Sequence, residues 1–182
     1  VISDIDDTVL KTGAYSLARN LWTSLTGNAL TRRVFPDTAA LLRRFAERGA
    51  PVFYVSSSPW NLHHFLNSIF EANDVPKGPM FLRDLGINPQ PTGHHGHKST
   101  AIDAVLAAHP ELPAVLIGDT GQKDPAIYAA AATRWPGRVV AVYLREPRAR
   151  ARAELADALT ALRGQDVRAF VGPTFDPAAP LP

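Results

Sequence analysis

Short apolar runs rich in β-branched and aromatic residues alternate along this chain with longer stretches whose apolar residues recur at helical spacing. Most of these runs are too apolar for strands with one face in water, and the alternation is typical of βαβ units around a parallel sheet. We therefore predict a doubly wound α/β fold with helices on both faces of the sheet. The predicted strands are 1–5, 52–55, 80–82, 114–117 and 139–144, with a weaker strand at 167–171.

Capping residues, proline and glycine mark the ends of the predicted helices. Asp37 is the predicted N-cap of the first helix, and Gly49 is predicted to end it. Lys98 is predicted to open the helix that follows a glycine- and proline-rich loop. Asp124 is predicted to cap a helix that has Pro125 in its first turn, where proline is tolerated. A further helix is predicted over the Arg- and Ala-rich stretch 147–162.

The chain length predicts a single domain. With 182 residues, 46% of them hydrophobic, the chain can build one substantial core but not two ordinary domains. We assign the domain to residues 1–172, with residues 11–34 as a small helical cap insert because that stretch interrupts the alternation. The proline-rich tail 173–182 is predicted to be disordered. Because the chain opens on Val1 rather than methionine, we expect it to be part of a longer protein.

Composition narrows the function classes. The 19 basic residues are nearly balanced by 17 acidic ones, so the chain lacks the broad basic footprint of nucleic-acid binding, and we expect no nucleic-acid partner. Cysteine is absent, so any metal must be held by oxygen or imidazole ligands. No apolar run approaches the roughly 20 residues that span a bilayer. We expect a cytoplasmic protein that contacts membranes only peripherally.

Two aspartates follow the first predicted strand. Asp4 and Asp6 are two residues apart, so in an extended segment their side chains point the same way and can share one site. Two close carboxylates repel each other unless a cation or a proton intervenes. Taken alone, such a pair is more often a capped turn than a site. Its position matters, because ligands of open α/β sheets bind beyond the carboxyl ends of the strands.

Later predicted strands are followed by complementary groups. The serine run 56–58 offers hydroxyls and backbone N–H groups to an anion, and Lys98 offers a cation. Asp119 and Asp124 add a second acid pair beside two glycines that let the backbone approach a ligand closely. Singly, Lys98 would be a solvated lysine and Asp124 a helix cap. Together, in this order, the groups predict a phosphate site with Mg²⁺, which prefers carboxylate, water and phosphate oxygens.

At this point the sequence resembles the haloacid dehalogenase-like superfamily of Rossmann-like phosphatases. The four superfamily motifs match Asp4-x-Asp6-x-Thr8, Ser56, Lys98 and Gly118-Asp119 with Asp124. The resemblance implies that Asp4 attacks phosphorus to form an aspartyl-phosphate, while Asp6 is the general acid and base. It also implies that Ser56, Ser57 and Lys98 bind the phosphoryl oxygens.

The same resemblance implies a magnesium site at the acid pairs. Asp4, the backbone carbonyl of Asp6 and Asp119 would hold Mg²⁺, which offsets the charge that develops during phosphoryl transfer. Thr8 and Asp124 would support this site. Mg²⁺ is therefore the expected cofactor.

Longer strings of sequence give a closer resemblance, to the actin-patch-associated family of phosphatidate phosphatases. These strings are FYVSSSPWNL at 53–62, LRDxG at 82–86, HK at 97–98 and LIGDTGQKDPxxY at 116–128. The family implies hydrolysis of phosphatidate to diacylglycerol and phosphate. Two alternatives stay open: a phosphatase for another lipid, protein or soluble phosphomonoester, and a non-catalytic phospholipid-binding module.

Three further groups have weaker interpretations. An apolar spacing within the 11–34 insert fits a membrane-facing helix, although packing on the core explains it better. His94, His95 and His97 form a histidine-rich stretch to which we assign no metal. The arginines of 145–152 fit an anionic membrane surface less well than a solvated helix face.

Overall fold

A computed structural model describes residues 1–11, 34–83, 94–146, 153–176 and 178–182. These residues form a six-stranded, wholly parallel sheet in the order β3-β2-β1-β4-β5-β6. The predicted doubly wound α/β fold is therefore confirmed. The strand order reverses between β1 and β4, and the crevice at such a switch point is where ligands bind in open α/β sheets.

All six predicted strands are present. The strands are β1 Ile2–Ser3, β2 Phe53–Pro59, β3 Met80–Arg83, β4 Ala114–Asp119, β5 Val139–Arg145 and β6 Arg168–Gly172. The helices are α1 Pro36–Glu47, α2 His63–Ala72, α3 His94–Ala108, α4 Asp124–Arg134 and α5 Ala153–Arg163, with a short 3₁₀ turn at Trp60–Leu62. Residues 12–33, which make up most of the predicted cap insert, lie outside the described residues, and so do residues 84–93.

Alternating side chains of the central strands fill two separate cores, one on each face of the sheet. Tyr54 and Ile117 point into the core that contains α1 and α2. Val55 and Leu116, their neighbours in sequence, point into the core that contains α3, α4 and α5. Because both faces of the sheet are covered, the central strands begin with apolar runs, as their sequences indicated, whereas the edge strand β6 is mostly exposed.

Helix α1 ends as predicted but begins differently. Gly49 adopts a left-handed φ of 79°, and the N–H groups of Gly49 and Ala50 bond back to the carbonyls of Ala46 and Phe45. Asp37, however, is not the N-cap, because it lies inside the first turn, after Phe35 at the cap position. Its carboxylate instead accepts a hydrogen bond from Arg145, the last residue of β5.

Two other predicted helix starts are also wrong. Helix α3 begins at His94, so Lys98 lies in its second turn rather than at its N-terminus. Helix α4 has Lys123 at its N-cap and no side-chain capping bond, so Asp124 is not a cap. In both cases the side chain is directed to a tertiary contact, which a local capping rule does not include.

The C-terminal tail also departs from its prediction. Phe175 is buried in the α1 side of the core, and its N–H donates to Asp37 at 2.7 Å. Arg145, at the end of β5, is buried as well and donates to the carbonyl of Pro173 at 2.6 Å. Arg145 is thus unavailable to a membrane surface, while residues 147–152 lie outside the described chain. A single aromatic residue anchors a segment whose composition suggested disorder.

Candidate active site

Three aspartates meet at the switch point of the sheet. Asp4 follows β1, Asp119 ends β4 and Asp124 begins α4, and one carboxylate oxygen from each lies within 4.8 Å of the others. All three side chains are buried. We call these residues the acidic cluster. The carboxyl ends of β1 and β4 are adjacent because the strands pair directly, with Ser3 beside Ile117.

Lys98 is the cation of this cluster. Its Nζ lies 2.6 Å from Asp124 Oδ1 and 2.8 Å from Asp4 Oδ1, and its side chain is 4% exposed. Helix α3 brings it there, since the face of α3 that carries Ala101, Ile102 and Val105 packs into the core beside β2. Paired with two carboxylates, this buried ammonium stays charged, because the attraction outweighs the cost of burial. The two carboxylates raise the pKa of Lys98 despite its burial.

Asp6 faces a pair of serines. Its Oδ2 accepts hydrogen bonds from Ser56 Oγ at 2.6 Å and from Ser58 Oγ at 3.0 Å. Ser56 and Ser57 were predicted to bind the phosphoryl oxygens, and Ser58, which sequence reasoning did not assign to the site, makes the second contact with Asp6. Alternation along β2 is the signal that identifies it, because residues two apart share a side of the strand. Ser57 lies between them and is only partly buried.

The loop that carries the acid pair is tightly turned. Asp7 adopts a left-handed φ of 55°, and the N–H groups of Val9 and Leu10 both donate to the carbonyl of Ile5 at 2.9 Å. This turn brings Thr8 Oγ1 back to within 3.2 Å of Asp4 Oδ2, to which it donates a hydrogen bond. Asp4 is therefore contacted by Lys98 on one oxygen and by Thr8 on the other.

The second acid pair is held by backbone donors. Asp119 Oδ1 accepts N–H bonds from Gly121 and Gln122, and Asp124 Oδ2 accepts the N–H of Asp119 at 3.3 Å. Tyr128 is a neighbour that sequence reasoning did not assign to the site. Its ring packs against Gly118, and its hydroxyl donates to the carbonyl of Ile117 at 2.9 Å.

Burial raises the pKa values of the site carboxyls. Burial is the main cause of the raised pKa of Asp4, which Lys98 partly offsets. Burial also raises the pKa of Asp6, against the opposing effect of its two serine donors. Burial and the adjacent Asp124 raise the pKa of Asp119 to about 7. A buried site with this much negative charge favours a proton or a cation.

The donor set fits a divalent cation. Within the described residues, the buried oxygens that lack a hydrogen bond include Asp6 Oδ1 and Asp119 Oδ2, while Asp4 Oδ1 has its ion pair with Lys98. Asp4, Asp6, Asp119 and Asp124 face the single ammonium of Lys98, which leaves excess negative charge if all four are ionised. Oxygen-only ligation by carboxylates suits Mg²⁺ better than Zn²⁺, which prefers imidazole and thiolate. The three aspartates whose carboxylates approach closely are Asp4, Asp119 and Asp124, and the ligand predicted from Asp6 is its backbone carbonyl.

Two other predicted features fall outside the acidic cluster. His97 Nε2 lies 3.2 Å from the carbonyl of Phe81, which gives this histidine a contact with the end of β3. The side chains of His94 and His95 are not described. Over the described ranges, the helices are all too short or too polar to cross a bilayer.

A family model and a curated relative both relate this chain to the same group of phosphatases. The family model described as "Phosphatidate phosphatase APP1, catalytic domain" matches residues 1–146. Phosphatidate phosphatase APP1 of Saccharomyces cerevisiae is 31% identical over 150 residues, and an uncharacterized protein of Schizosaccharomyces pombe is 29% identical over 153 residues. Each alignment covers 80% of this chain. The chain spans about a quarter of the length of these curated relatives, 25% in both cases.

Proposed function

This chain belongs to the family of phosphatidate phosphatase APP1 catalytic domains and is a phosphatase, and from its site we propose that it hydrolyses phosphatidate with Mg²⁺ through an aspartyl-phosphate on Asp4. One observation carries the proposal. The buried carboxylate of Asp4 is held between Lys98 and Thr8 at the switch point of the sheet, where a phosphate would enter. The sequence motifs assigned the same residue.

Asp4 would act as the nucleophile. Its carboxylate oxygen forms a bond to phosphorus as the bond from phosphorus to the diacylglycerol oxygen breaks, and water later hydrolyses the acyl-phosphate. Thr8 and Lys98 hold the carboxylate in one orientation, so little motion is needed before attack. Lys98 also places a positive charge next to the attacking group, where the phosphoryl oxygens gather.

Asp6 would supply and remove the proton. Its raised pKa favours the protonated acid that donates a proton to the leaving alkoxide, after which the carboxylate takes a proton from the attacking water. Ser56 and Ser58 occupy only Oδ2, which leaves Oδ1 for proton transfer. Because the Ser56 hydroxyl already donates to Asp6, a contact between Ser56 and the phosphoryl group requires that this hydrogen changes partner.

The acidic cluster would hold the cation. Asp4 and Asp119 would be its carboxylate ligands, and a bound Mg²⁺ neutralises charge on the transferring phosphoryl group. Asp124 supports the cluster from behind, since its two oxygens bind Lys98 and the Asp119 N–H. The predicted ligation by the Asp6 carbonyl remains part of this proposal.

A lipid substrate is favoured by an exposed aromatic residue beside the site. Trp60 lies two residues after Ser58, immediately beyond β2, and its relative exposure is 56%. Its ring stacks on His63 with 4.8 Å between centroids. Tryptophan side chains favour the interface between water and lipid, so this position suits a substrate presented by a membrane. Peripheral membrane contact at Trp60 is part of the proposal.

The experiment measures phosphate release from phosphatidate in mixed micelles and from a soluble phosphomonoester, each with Mg²⁺ or EDTA. Asp4→Asn should abolish both activities and the attachment of labelled phosphate, because an amide is not a nucleophile here. Asp74→Asn, on an exposed turn with φ 51°, is the matched control and should behave like the wild type.

Three results separate the alternatives. Efficient turnover of soluble esters alone would exclude the lipid substrate and leave a general phosphatase. Lipid binding without turnover or labelling would favour the non-catalytic module. Activity retained by Asp4→Asn would remove Asp4 as the nucleophile.

A further inference from the structure

A buried arginine lies one layer behind the nucleophile. Arg145 ends β5 and is 1% exposed, and its guanidinium lies between two aromatic rings, 3.9 Å from the centroid of Phe35 and 4.7 Å from that of Phe175. Its Nη2 donates to Asp37 Oδ2 at 2.6 Å and to Thr38 Oγ1 at 2.7 Å. Among the described contacts, the side chain of Arg145 binds neither the acidic cluster nor Asp6, although its backbone pairs with Asp119 of β4, and the proposed mechanism does not use it.

The contacts of Arg145 continue to the nucleophile. Thr38 Oγ1 donates to the carbonyl of Thr8 at 2.8 Å, and Thr8 Oγ1 donates to Asp4 Oδ2 at 3.2 Å. Guanidinium can only donate, so it fixes Thr38 Oγ1 as an acceptor on one side and leaves its hydrogen for Thr8 on the other. Every link runs in one direction, from Arg145 to Asp4. We call Arg145, Thr38 and Thr8 the arginine relay.

The relay restrains the loop from outside. The internal bonds of the loop end on Ile5, whereas the carbonyl of Thr8 is held by α1 through Thr38. Arginine suits this position, because Nη2 donates to both Asp37 and Thr38 while the flat faces of the guanidinium lie over aromatic rings. Nη1 also donates to Pro173 at 2.6 Å, so the tail segment encloses the guanidinium.

We propose that Arg145 is a positioning residue for the Asp4 nucleophile and acts through Thr38 and Thr8, an inference that rests on the proposed function of Asp4. Without the relay, Thr8 and the Asp4 carboxylate would occupy several orientations. A misplacement of about 1 Å at a reacting group costs roughly 100-fold in rate. The relay should therefore affect kcat much more than KM, because it does not touch the substrate.

The experiment compares Thr38→Val with Thr38→Ser on a soluble phosphomonoester, with kcat, KM and thermal midpoint measured for each. Valine keeps the shape of threonine but removes the hydroxyl, so kcat should fall about 10- to 100-fold with KM within about twofold. Serine keeps the hydroxyl and should retain kcat within about threefold of the wild type. Arg145→Lys loses the second nitrogen, which binds Pro173, and the flat faces that lie over two aromatic rings, so its single ammonium is not held beside Thr38. Its kcat should fall in the same range as that of Thr38→Val.

Arg138→Lys is the matched control for stability. Arg138 holds the carbonyls of Leu106, His109 and Leu112 at the opposite end of the sheet, so lysine there should lower the thermal midpoint with kcat unchanged. If Thr38→Val and Arg145→Lys lost stability but kept kcat, the relay would be structural only and the inference would be overturned. An inactive wild type would instead overturn the proposed function, and the relay with it.

Discussion

Gly118 is the position where one added methyl group should disturb the site most. A Cβ at Gly118 would overlap Asp124 Oδ2 and would lie 2.6 Å from the Tyr128 hydroxyl oxygen and 2.9 Å from Tyr128 Cε2. Both neighbours are buried, and both are held by hydrogen bonds, Asp124 to Lys98 and Tyr128 to Ile117. Neither can move away freely, so Gly118→Ala should displace the acid that supports the cluster.

The expected cost follows from two effects. Overpacking in a well-packed interior costs about 1–3 kcal/mol. Stretching the 2.6 Å bond between Lys98 and Asp124 loses part of a charged hydrogen bond worth roughly 1.5–3 kcal/mol. A total near 3 kcal/mol corresponds to a fall of about 6–12 °C in thermal midpoint for a domain of this size. Since Lys98 also contacts Asp4, kcat should fall about 100-fold.

Thermal unfolding and phosphate release, measured together, test this expectation. Gly164→Ala is the matched control, because its Cβ would meet nothing closer than 3.5 Å, at the carbonyls of Ala161 and Thr160. That variant should match the wild type within about 0.5 kcal/mol. If Gly118→Ala kept both the midpoint and the rate of the control, Asp124 would not be tied to β4 as described, and its supporting role would be refuted.

Three further expectations concern separate parts of the site. Ser58→Ala removes one hydrogen-bond donor to Asp6 and should raise the pKa of that carboxyl further. The acidic limb of the plot of kcat against pH should therefore move to higher pH. An unchanged limb would argue against Asp6 as the titrating group. Without a divalent cation, the folded protein keeps a proton on Asp119 up to pH about 7, whereas the unfolded chain releases this proton near pH 3.8, the ordinary pKa of aspartate. In EDTA, the free energy of unfolding should therefore fall as the pH rises from 3.8 to about 7. Mg²⁺ binds the ionised carboxylate and should raise the thermal midpoint more at pH 8 than at pH 5, and equal shifts would contradict this. Trp60→Ala should lower the fraction of protein that sediments with phosphatidate vesicles and leave the turnover of a soluble ester unchanged. A loss of both vesicle binding and turnover would place Trp60 in the catalytic site instead.

The sequence predicted the sheet well because its central strands are buried on both sides. The run 114–117 in β4 has no polar positions that a helix would place in water, and every predicted strand is present. The convergence of Asp4 with Asp119 and Lys98 was also predictable, because parallel strands present their carboxyl ends at one edge. The family was identifiable from longer strings of the same residues, and the match over residues 1–146 confirms it.

The errors share one physical origin. Asp37 and Asp124 are of a residue type that often caps helices. Each carboxylate instead pairs with a cation that is distant in sequence, Asp37 with Arg145 and Asp124 with Lys98. Such a charge-assisted hydrogen bond is stronger than a hydrogen bond to a neutral N–H group at a helix start. Phe175 buries itself in a segment whose composition indicated disorder. Local rules describe neighbours in sequence, and these three side chains are held by partners 26 to 138 residues away.

The separation in sequence between Asp4 and its partners has a consequence for synthesis. Asp4, the proposed nucleophile, leaves the ribosome before Lys98, Asp119 and Asp124, and Arg145 and Phe175 follow later still. Contacts so distant in the chain form only after the intervening segments have folded. A nascent chain that ends before Lys98 therefore carries Asp4 without the cation and acids that complete its site. The acidic cluster can close only after Asp124 has been synthesised.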